Sequence, residues 1–328
     1  MNKIIKCTIF ILIFVIMLAV LSKIFIPKNN ILAEKLEEKY AEGILAEPAD
    51  TVDMLVVGDS ESYTSYIPLE IWNKYGYTSY VCGTPRQTLP YTLSYIERAK
   101  QKQNLKAVMI ETNTFYTKVD ISVPLKKSIE KVLPIFKYHD RWKNLNENDF
   151  FGEINYTNLQ VNKGYYYSDK IKKIKKNKNY MKKTETEKRI PNLNRRYIKK
   201  IKNYCDKNDI KLIFYSSPSS TNWNYSKHLA VTRLAQILDI DFVDLNTKTK
   251  EMHIDWKKDT RDNGDHLNHY GALKATQFLG EYLNSKNILE DHKNDEKYSS
   301  WNEDYKHYLK EVQKWEQNGN ITKKMNKK

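Results

Sequence analysis

The sequence has almost no cysteine. Its 328 residues include only Cys7, Cys82 and Cys205, and Cys7 lies inside an N-terminal apolar run. Two remaining cysteines cannot build the disulfide framework of a small secreted domain. We interpret them as small buried hydrophobic residues, with pairing in an oxidising compartment as the alternative.

Metal-binding motifs and internal repeats are also missing from the sequence. No Cys-x-x-Cys pair and no histidine-rich cluster occurs, so no structural metal site is indicated. We expect neither a metal nor a cofactor. The length instead favours one sizeable core with additions.

A long apolar run does occur, from Ile4 to Ile26, after a start that contains Lys3 and Lys6. This run is just long enough to span a bilayer of about 30 Å as a helix. It predicts a single-pass anchor over residues 1–27 with a cytoplasmic N-terminus, followed by a linker over 28–50. A cleaved signal peptide is the alternative, although no Ala-x-Ala site follows.

Apolar strand-like segments alternate with helical ones after the linker. The strands are predicted at 51–57, 78–82, 106–110, 211–215 and 241–243, and the last helix at 270–283. This alternation predicts an α/β domain over 51–288 with a central parallel sheet. A lysine-rich insertion at about 120–190 interrupts it, and a basic C-terminal tail, 289–328, follows, with an amphipathic stretch near 301–315.

Short polar motifs follow the first three predicted strands. Gly58-Asp59-Ser60 ends the first, Gly83 follows the second and Asn113 follows the third. The backbone N–H groups of Ser60 and Gly83 and the Asn113 amide could bind an oxyanion. Taken singly, each has an ordinary alternative: a helix cap, a glycine required by backbone geometry, and a turn residue.

About two hundred residues later, Asp262-Asn263-Gly264-Asp265-His266 precedes the last helix. A serine nucleophile needs an imidazole base and a carboxylate that orients it. We predict Ser60, His266 and Asp262 in these roles, with His269 as a weaker candidate base. Asp265 is the alternative acid, and we favour Asp262 because neighbouring side chains on a turn diverge.

Further polar and aromatic residues are predicted to contact substrate. The segment 217–225 follows a buried strand, so that Trp223 could stack on a sugar face and His228 could line the same cleft. For both, a core aromatic and a partly exposed helix histidine are the alternatives. The predicted substrate-binding set is Asp59, Glu61, Trp223, Asn224, His228 and Asn268.

The order Ser60, Gly83, Asn113, His266 resembles the four signature blocks of the SGNH/GDSL hydrolase superfamily, over about Val52 to Leu283. The resemblance implies a three-layer flavodoxin-like fold and serine acyl chemistry. The second block lacks a nearby asparagine, and the third is Glu-Thr-Asn where Gly-x-Asn-Asp is usual. The last usually has an aspartate three residues before the histidine, where this chain has Asn263.

A narrower resemblance concerns Gly-Asp-Ser-Glu at Gly58 to Glu61, which is similar to the Gly-Ser-Ser-Glu block of teichoic-acid D-alanylation protein D. Together with an anchor and a basic body, this resembles accessory proteins of alginate O-acetylation and teichoic-acid D-alanylation. It implies an extracytoplasmic esterase or O-acetyltransferase on a cell-envelope polysaccharide. The alternative is a catalytically silent scaffold beside a membrane-bound O-acyltransferase.

The charge of the chain points to anionic partners. The net charge is +15 and the pI is about 9.3, which attracts anionic polymers and lipid headgroups. Behind a membrane anchor, we expect an anionic envelope glycan or teichoic acid as the partner. We expect no nucleic acid, because that interpretation rests on charge alone.

Overall fold

Five parallel strands form one sheet in the computed structural model, which describes residues 2–29, 36–120, 122–156, 161–174 and 179–325. The strands are β1 (Met54–Gly58), β2 (Ser79–Gly83), β3 (Ala107–Glu111), β4 (Lys211–Ser216) and β5 (Asp241–Asp244). Their order in the sheet is β2-β1-β3-β4-β5. This is the doubly wound, flavodoxin-like order, and it confirms the predicted fold class.

The described residues include helices between the strands, as the predicted alternation requires, and several further helices that are not part of that alternation. In chain order they are α1 (Lys3–Phe25), α2 (Leu36–Glu42), α3 (Ser60–Ser65), α4 (Pro68–Tyr75), α5 (Leu89–Lys100), α6 (Ser122–Val132), α7 (Ile135–Tyr138), α8 (Glu147–Phe151), α9 (Asn192–Lys207), α10 (Tyr225–Leu238), α11 (His269–Lys286) and α12 (Ser299–Met325). Short 3₁₀ turns include Gly43–Leu45, Thr112–Tyr116 and His139–Asn144.

The hydrophobic core lies on both faces of the sheet. Successive side chains of a strand point to opposite faces, so that Leu55 and Val57 pack with α5, α9 and α10, whereas Met54 and Val56 pack with α3, α4 and α11. Both faces of every central strand are buried, which explains their continuous apolar sequences. The result is the expected three-layer arrangement.

The carboxyl ends of β1, β2 and β3 lie side by side. Gly58 pairs with Gly83 across β1 and β2, and Val57 pairs with Ile110 across β1 and β3. Gly58 has φ +154°, and a Cβ there would lie 2.6 Å from Glu111 Cβ. A side chain at this position would therefore push apart the two strands that carry the site.

Helix α1 precedes the sheet as a separate element. Its 23 residues include a stretch with mean hydropathy 3.0, none of which is buried. The helix is thus long and apolar enough to cross a membrane, as the sequence predicts, and a signal sequence would have the same properties.

The predicted linker, insertion and tail pack together on the domain. The buried Lys163 ammonium of the insertion lies 2.8 Å from Glu47 Oε2 of the linker and 2.5 Å from Asp304 Oδ2 of α12. It also lies 4.5 Å above the Trp301 ring. These three segments are therefore integral to the fold.

The boundary predicted at residue 288 does not follow this packing. Trp301 and Tyr308 of α12 are fully buried in the core, and Trp301 lies against Trp72 of α4 with ring centroids 5.6 Å apart. Lys306, Lys310 and Lys314 lie on the exposed side of this helix. The aromatic residues at seven-residue spacing lie on its buried side.

Candidate active site

Ser60 begins α3 directly after β1. Asp59 caps this helix: its Oδ1 accepts a hydrogen bond from the Glu61 N–H at 3.1 Å. The cap forces a sharp turn from strand to helix, so that Ser60 lies half-buried at the carboxyl edge of the sheet. Ligands of open α/β sheets bind at this edge.

The loop before α11 brings His266 to Ser60. The Ser60 Oγ lies 2.7 Å from His266 Nε2. On the other side of the ring, His266 Nδ1 lies 2.6 Å from Asp262 Oδ2. Serine, imidazole and carboxylate are thus connected in the order that nucleophilic catalysis requires.

The geometry distinguishes the two candidate acids. Asp262 also accepts the His266 backbone N–H through Oδ1 at 2.7 Å, whereas Asp265 Oδ2 lies 3.7 Å from His266 Nδ1. Asp265 Oδ1 instead accepts a short hydrogen bond from the Asn222 amide. Asp262 is therefore the residue that orients the imidazole.

The two acids also differ electrostatically. Burial alone would raise the pKa of Asp262, but the hydrogen bonds from the His266 side chain and backbone hold that pKa below its usual value. Burial raises the pKa of Asp265, in spite of the nearby His266. Asp262 thus stays ionised over a wider pH range, as a group facing a developing imidazolium should.

His269, the weaker candidate base, lies away from the nucleophile. Its Nδ1 is 3.2 Å from the Tyr165 hydroxyl, and its ring centroid lies 4.8 Å from that of Tyr167. Burial lowers its pKa to about 4. It is a neutral core histidine.

The two remaining candidate oxyanion donors lie beside Ser60. Gly83 ends β2, and a Cβ there would lie 2.2 Å from Ser62 Oγ and 3.1 Å from a ring carbon of Tyr63, both on α3. A glycine at this position therefore favours the close approach of α3 to the strand. The Asn113 amide donates to Asp59 Oδ2 at 2.8 Å, which fixes its NH₂ group on the side of the α3 turn.

Lys227 sets the orientation of Asn113. The Lys227 ammonium, from the first turn of α10, donates to Asn113 Oδ1 at 3.0 Å and to the carbonyl oxygen of Asn222. It lies 4.6 Å above the Tyr116 ring, and burial lowers its pKa. This role was not predictable from the sequence, since one lysine among 55 basic residues carries no positional signal.

Three buried carboxyl groups lie behind the nucleophile. They belong to Asp59, Glu61 and Glu111, and burial raises the pKa of each. The charges of Glu111 and Asp59 raise the pKa of Glu61 further. Asn222 connects this group to the triad loop, because its amide donates to Glu61 Oε1 at 2.9 Å and also to Asp265.

Four residues of the predicted substrate-binding set have structural roles. Trp223 is buried in the core and donates from Nε1 to Asp244 Oδ2 at 3.0 Å, so it is not available to stack on a sugar. His228 Nδ1 lies 2.7 Å from the same carboxylate oxygen. Asn224 and Asn268 cap α10 and α11. Asp59 and Glu61 lie at the site, behind the nucleophile.

The lysine-rich segment runs alongside the triad loop. The Lys172 N–H donates to the Thr260 carbonyl at 2.9 Å, and the Asn263 N–H donates to the Lys172 carbonyl at 2.9 Å. An open cleft of about 610 Å³ lies there, lined by Ile171, Lys172, Lys173, Ile174, Lys257 and Asn263. A basic cleft thus adjoins the loop that carries Asp262 and His266.

Among the described residues, Glu61, Asp265 and His266 form a group whose potential metal ligand atoms lie within 4.8 Å of one another. Both ring nitrogens of His266 already have hydrogen-bonding partners in Ser60 and Asp262. A metal on this histidine would have to break the triad. We therefore assign the group to serine chemistry.

No protein-family model and no curated protein sequence matches the chain. Among solved structures, a GDSL-like lipase from Bacteroides thetaiotaomicron is 11% identical, with 76% of this chain and 98% of that chain covered and a TM-score of 0.39. A lipase/acylhydrolase from Enterococcus faecalis is 10% identical, with 72% and 97% covered and a TM-score of 0.38. The chain is similar to these GDSL-like lipase and acylhydrolase structures.

Proposed function

We propose that this protein is a serine esterase or O-acyltransferase that acts through an acyl-Ser60 intermediate. The observation that carries the proposal is the continuous hydrogen-bonded series from Ser60 Oγ through His266 to Asp262, with distances of 2.7 and 2.6 Å. A serine hydroxyl is a weak nucleophile at neutral pH, and a base with an orienting acid is one of the arrangements that activate it.

In the first half-reaction, Ser60 Oγ attacks the acyl carbonyl carbon while its proton passes to His266 Nε2. Asp262 stabilises the resulting imidazolium. The oxyanion receives hydrogen bonds from the Ser60 and Gly83 N–H groups and from the Asn113 amide. When the tetrahedral intermediate collapses, the ester C–O bond breaks, and His266 returns the proton to the leaving alcohol.

In the second half-reaction, a hydroxyl group attacks acyl-Ser60 and gives its proton to His266. Collapse then breaks the bond to Ser60 Oγ, which takes the proton back. Water as the attacking group completes an esterase cycle, and a sugar hydroxyl completes a transferase cycle. The half-buried position of Ser60 at the sheet edge is compatible with either acceptor.

For the acceptor, we propose an anionic cell-envelope glycan or teichoic acid, with acetyl as the acyl group. The cleft with Lys172, Lys173 and Lys257 beside Asn263 supports an anionic polymer. The apolar helix α1 supports a single-pass anchor, with the catalytic domain on the extracytoplasmic side. A membrane-bound O-acyltransferase is the partner that would supply acyl groups there.

Labelling with a fluorophosphonate tests the nucleophile. The full chain in detergent should form one adduct, which peptide mapping assigns to Ser60, and Ser60→Ala should abolish it. Ser226→Ala on α10 is the matched control and should label like the wild type. Folded wild-type protein that resists labelling would contradict the enzyme and favour the alternative, a silent polymer-binding or scaffold protein.

A further inference from the structure

Large exposed hydrophobic side chains concentrate in two places. Of those among the described residues, twelve lie on α1, eight lie between residues 125 and 154, and four lie elsewhere. The second group includes Val132 at 76%, Trp142 at 63% and Phe151 at 91% exposure. Exposed apolar patches mark interaction sites. We call residues 122–155 the apolar platform.

The platform is attached to the end of α1. The Ile135 N–H donates to Ser22 Oγ at 3.2 Å, and the Arg141 guanidinium donates to the carbonyl of Phe25 at 2.6 Å. Arg141 is itself held by Asp149 at 2.7 Å. A cation at this position also complements the negative end of the helix dipole.

A further contact fixes the chain just beyond α1. The Asn155 N–H donates to the Lys28 carbonyl at 2.6 Å. Ser22 and Lys28 are buried, in contrast to the exposed residues of α1 before them. Protein packing on this helix thus begins at about Ser22 and involves the platform.

The length of α1 then sets the depth of the platform. From Lys3 to Ser22 the helix rises about 30 Å at 1.5 Å per residue, which equals the hydrocarbon thickness of a bilayer. If α1 spans the membrane, Ser22 lies at the boundary between hydrocarbon and headgroups. Residues 135–151, which pack on the last turn of α1, must lie at that boundary as well.

The side chains of the platform suit that boundary. Lys143 Nζ lies 5.2 Å above the Trp142 ring, and both of these residues are exposed. Tryptophan and tyrosine are enriched at membrane interfaces, and lysines there extend their charges toward the headgroups. Phe150 and Phe151 of α8 supply apolar area without charge.

We propose that the apolar platform is a second membrane contact, which lies in the bilayer interface beside α1 and holds the catalytic domain against the lipid surface. The occupant is the lipid bilayer itself. The observations that favour lipid over a protein partner are the continuity of the platform with α1 and its aromatic and basic composition. The proposal does not depend on the acyl chemistry.

Depth-dependent fluorescence quenching tests it on the full chain. A Cys7→Ser background leaves only the buried thiols of Cys82 and Cys205. Burial raises the pKa of Cys82 and raises that of Cys205 to about 12, so that neither thiol should react readily with a maleimide. A single NBD-maleimide probe is then placed at Trp142→Cys. The matched control is Ile237→Cys on α10, since both native side chains are 63% exposed. Phe10→Cys on α1 reports the anchor.

The labelled proteins are reconstituted into vesicles of phosphatidylcholine and phosphatidylglycerol. We expect nitroxide-labelled lipids to quench the probes at 142 and 10, and aqueous iodide to quench the probe at 237. Iodide quenching at 142 with lipid quenching at 10 would overturn the proposal and leave the anchor intact. Protection of position 142 from both quenchers would place a protein there and also overturn it. Iodide quenching at position 10 would show that α1 does not span the bilayer, and the proposal would then lose its geometric basis.

Discussion

At the scale of single residues, the choice of the orienting acid has a direct consequence. Asp262 Oδ2 lies 2.6 Å from His266 Nδ1, and Asp265 lies 3.7 Å away. We expect Asp262→Asn to lower kcat for ester hydrolysis by about 10⁴-fold, because an amide stabilises the wrong tautomer. Asp265→Asn should cost far less. Equal losses in the two variants would contradict the assignment.

The orientation of Asn113 gives a second residue-level prediction. We expect Asn113→Ala to lower kcat by about a hundredfold or more, the usual cost of one oxyanion donor. Lys227→Met should also lower kcat, with a smaller change in KM, because Asn113 Oδ1 loses the donor that fixes its amide. Lys200→Met is the control, a lysine that lies above Tyr197 and away from the site. An unchanged kcat in Lys227→Met would show that the Asn113 amide keeps its orientation without the Lys227 ammonium.

The buried carboxyl of Glu61 predicts a pH-dependent stability. Its folded-state pKa is raised, first by burial and then by Glu111 and Asp59. Because the folded-state pKa is the higher one, protonation of Glu61 stabilises the fold. This stabilisation is fully present below the unfolded-state pKa and is lost as the pH rises through the folded-state pKa.

Glu61→Gln should remove that dependence. Glutamine keeps an acceptor for Asn222 and carries no charge, so the variant should gain thermal stability over the wild type at pH 8 and gain little at pH 4. Thermal unfolding of both proteins in detergent measures this. A variant that is less stable at pH 8 would show that the charged form is stabilised in the fold.

The sequence predicted the residues of the site better than it predicted their surroundings. Ser60, Gly83, Asn113, Asp262 and His266 all follow strands or precede a helix, so their positions along the sequence predicted that they would lie at one edge of the sheet. Their catalytic roles remain predictions. The roles of Trp223 and His228 were harder to predict, because both side chains hydrogen-bond to one buried carboxylate, that of Asp244. No local pattern distinguishes such a contact from a substrate contact.

At the scale of secondary-structure elements, the lysine-rich composition of α12 leads to a misleading prediction. Its lysines suggest a solvated tail, whereas Trp301 and Tyr308 close one layer of the core. Strands β1, β2 and β3, by contrast, are short and fully buried, so that their apolar runs were predictable. The insertion was predicted from its composition, but its packing was not predictable, because it packs through single contacts such as Lys163 with Glu47, which have no period.

This packing predicts a large effect of Trp301→Ala. Removing a fully buried tryptophan side chain should lower the free energy of unfolding by about 3–5 kcal/mol. Leu309→Ala in the same helix is the control, since Leu309 is 40% exposed and should cost much less. Denaturant unfolding of the full chain in detergent measures both. A cost for Trp301→Ala equal to that of the control would mean that α12 is not part of the cooperative fold.

At the scale of the whole molecule, the proposed anionic acceptor depends on charge. We expect the net charge of +15 to attract anionic surfaces, and the cleft with Lys172 and Lys173 beside Asn263 is the position that we propose for such an acceptor. We expect the double variant Lys172→Gln, Lys173→Gln to transfer acetyl more slowly to an anionic polymer acceptor. Its hydrolysis of p-nitrophenyl acetate should be unchanged. A loss in both assays would mean that these lysines support the triad loop instead.

The proposed function depends on a covalent intermediate on Ser60, which intact-mass spectrometry can detect. The full chain is incubated with p-nitrophenyl acetate and quenched in acid, alongside Ser60→Ala. We expect one acetyl adduct on the wild type, mapped to Ser60, and none on the variant. An adduct that persists in Ser60→Ala, or ester turnover that does not need Ser60, would contradict it.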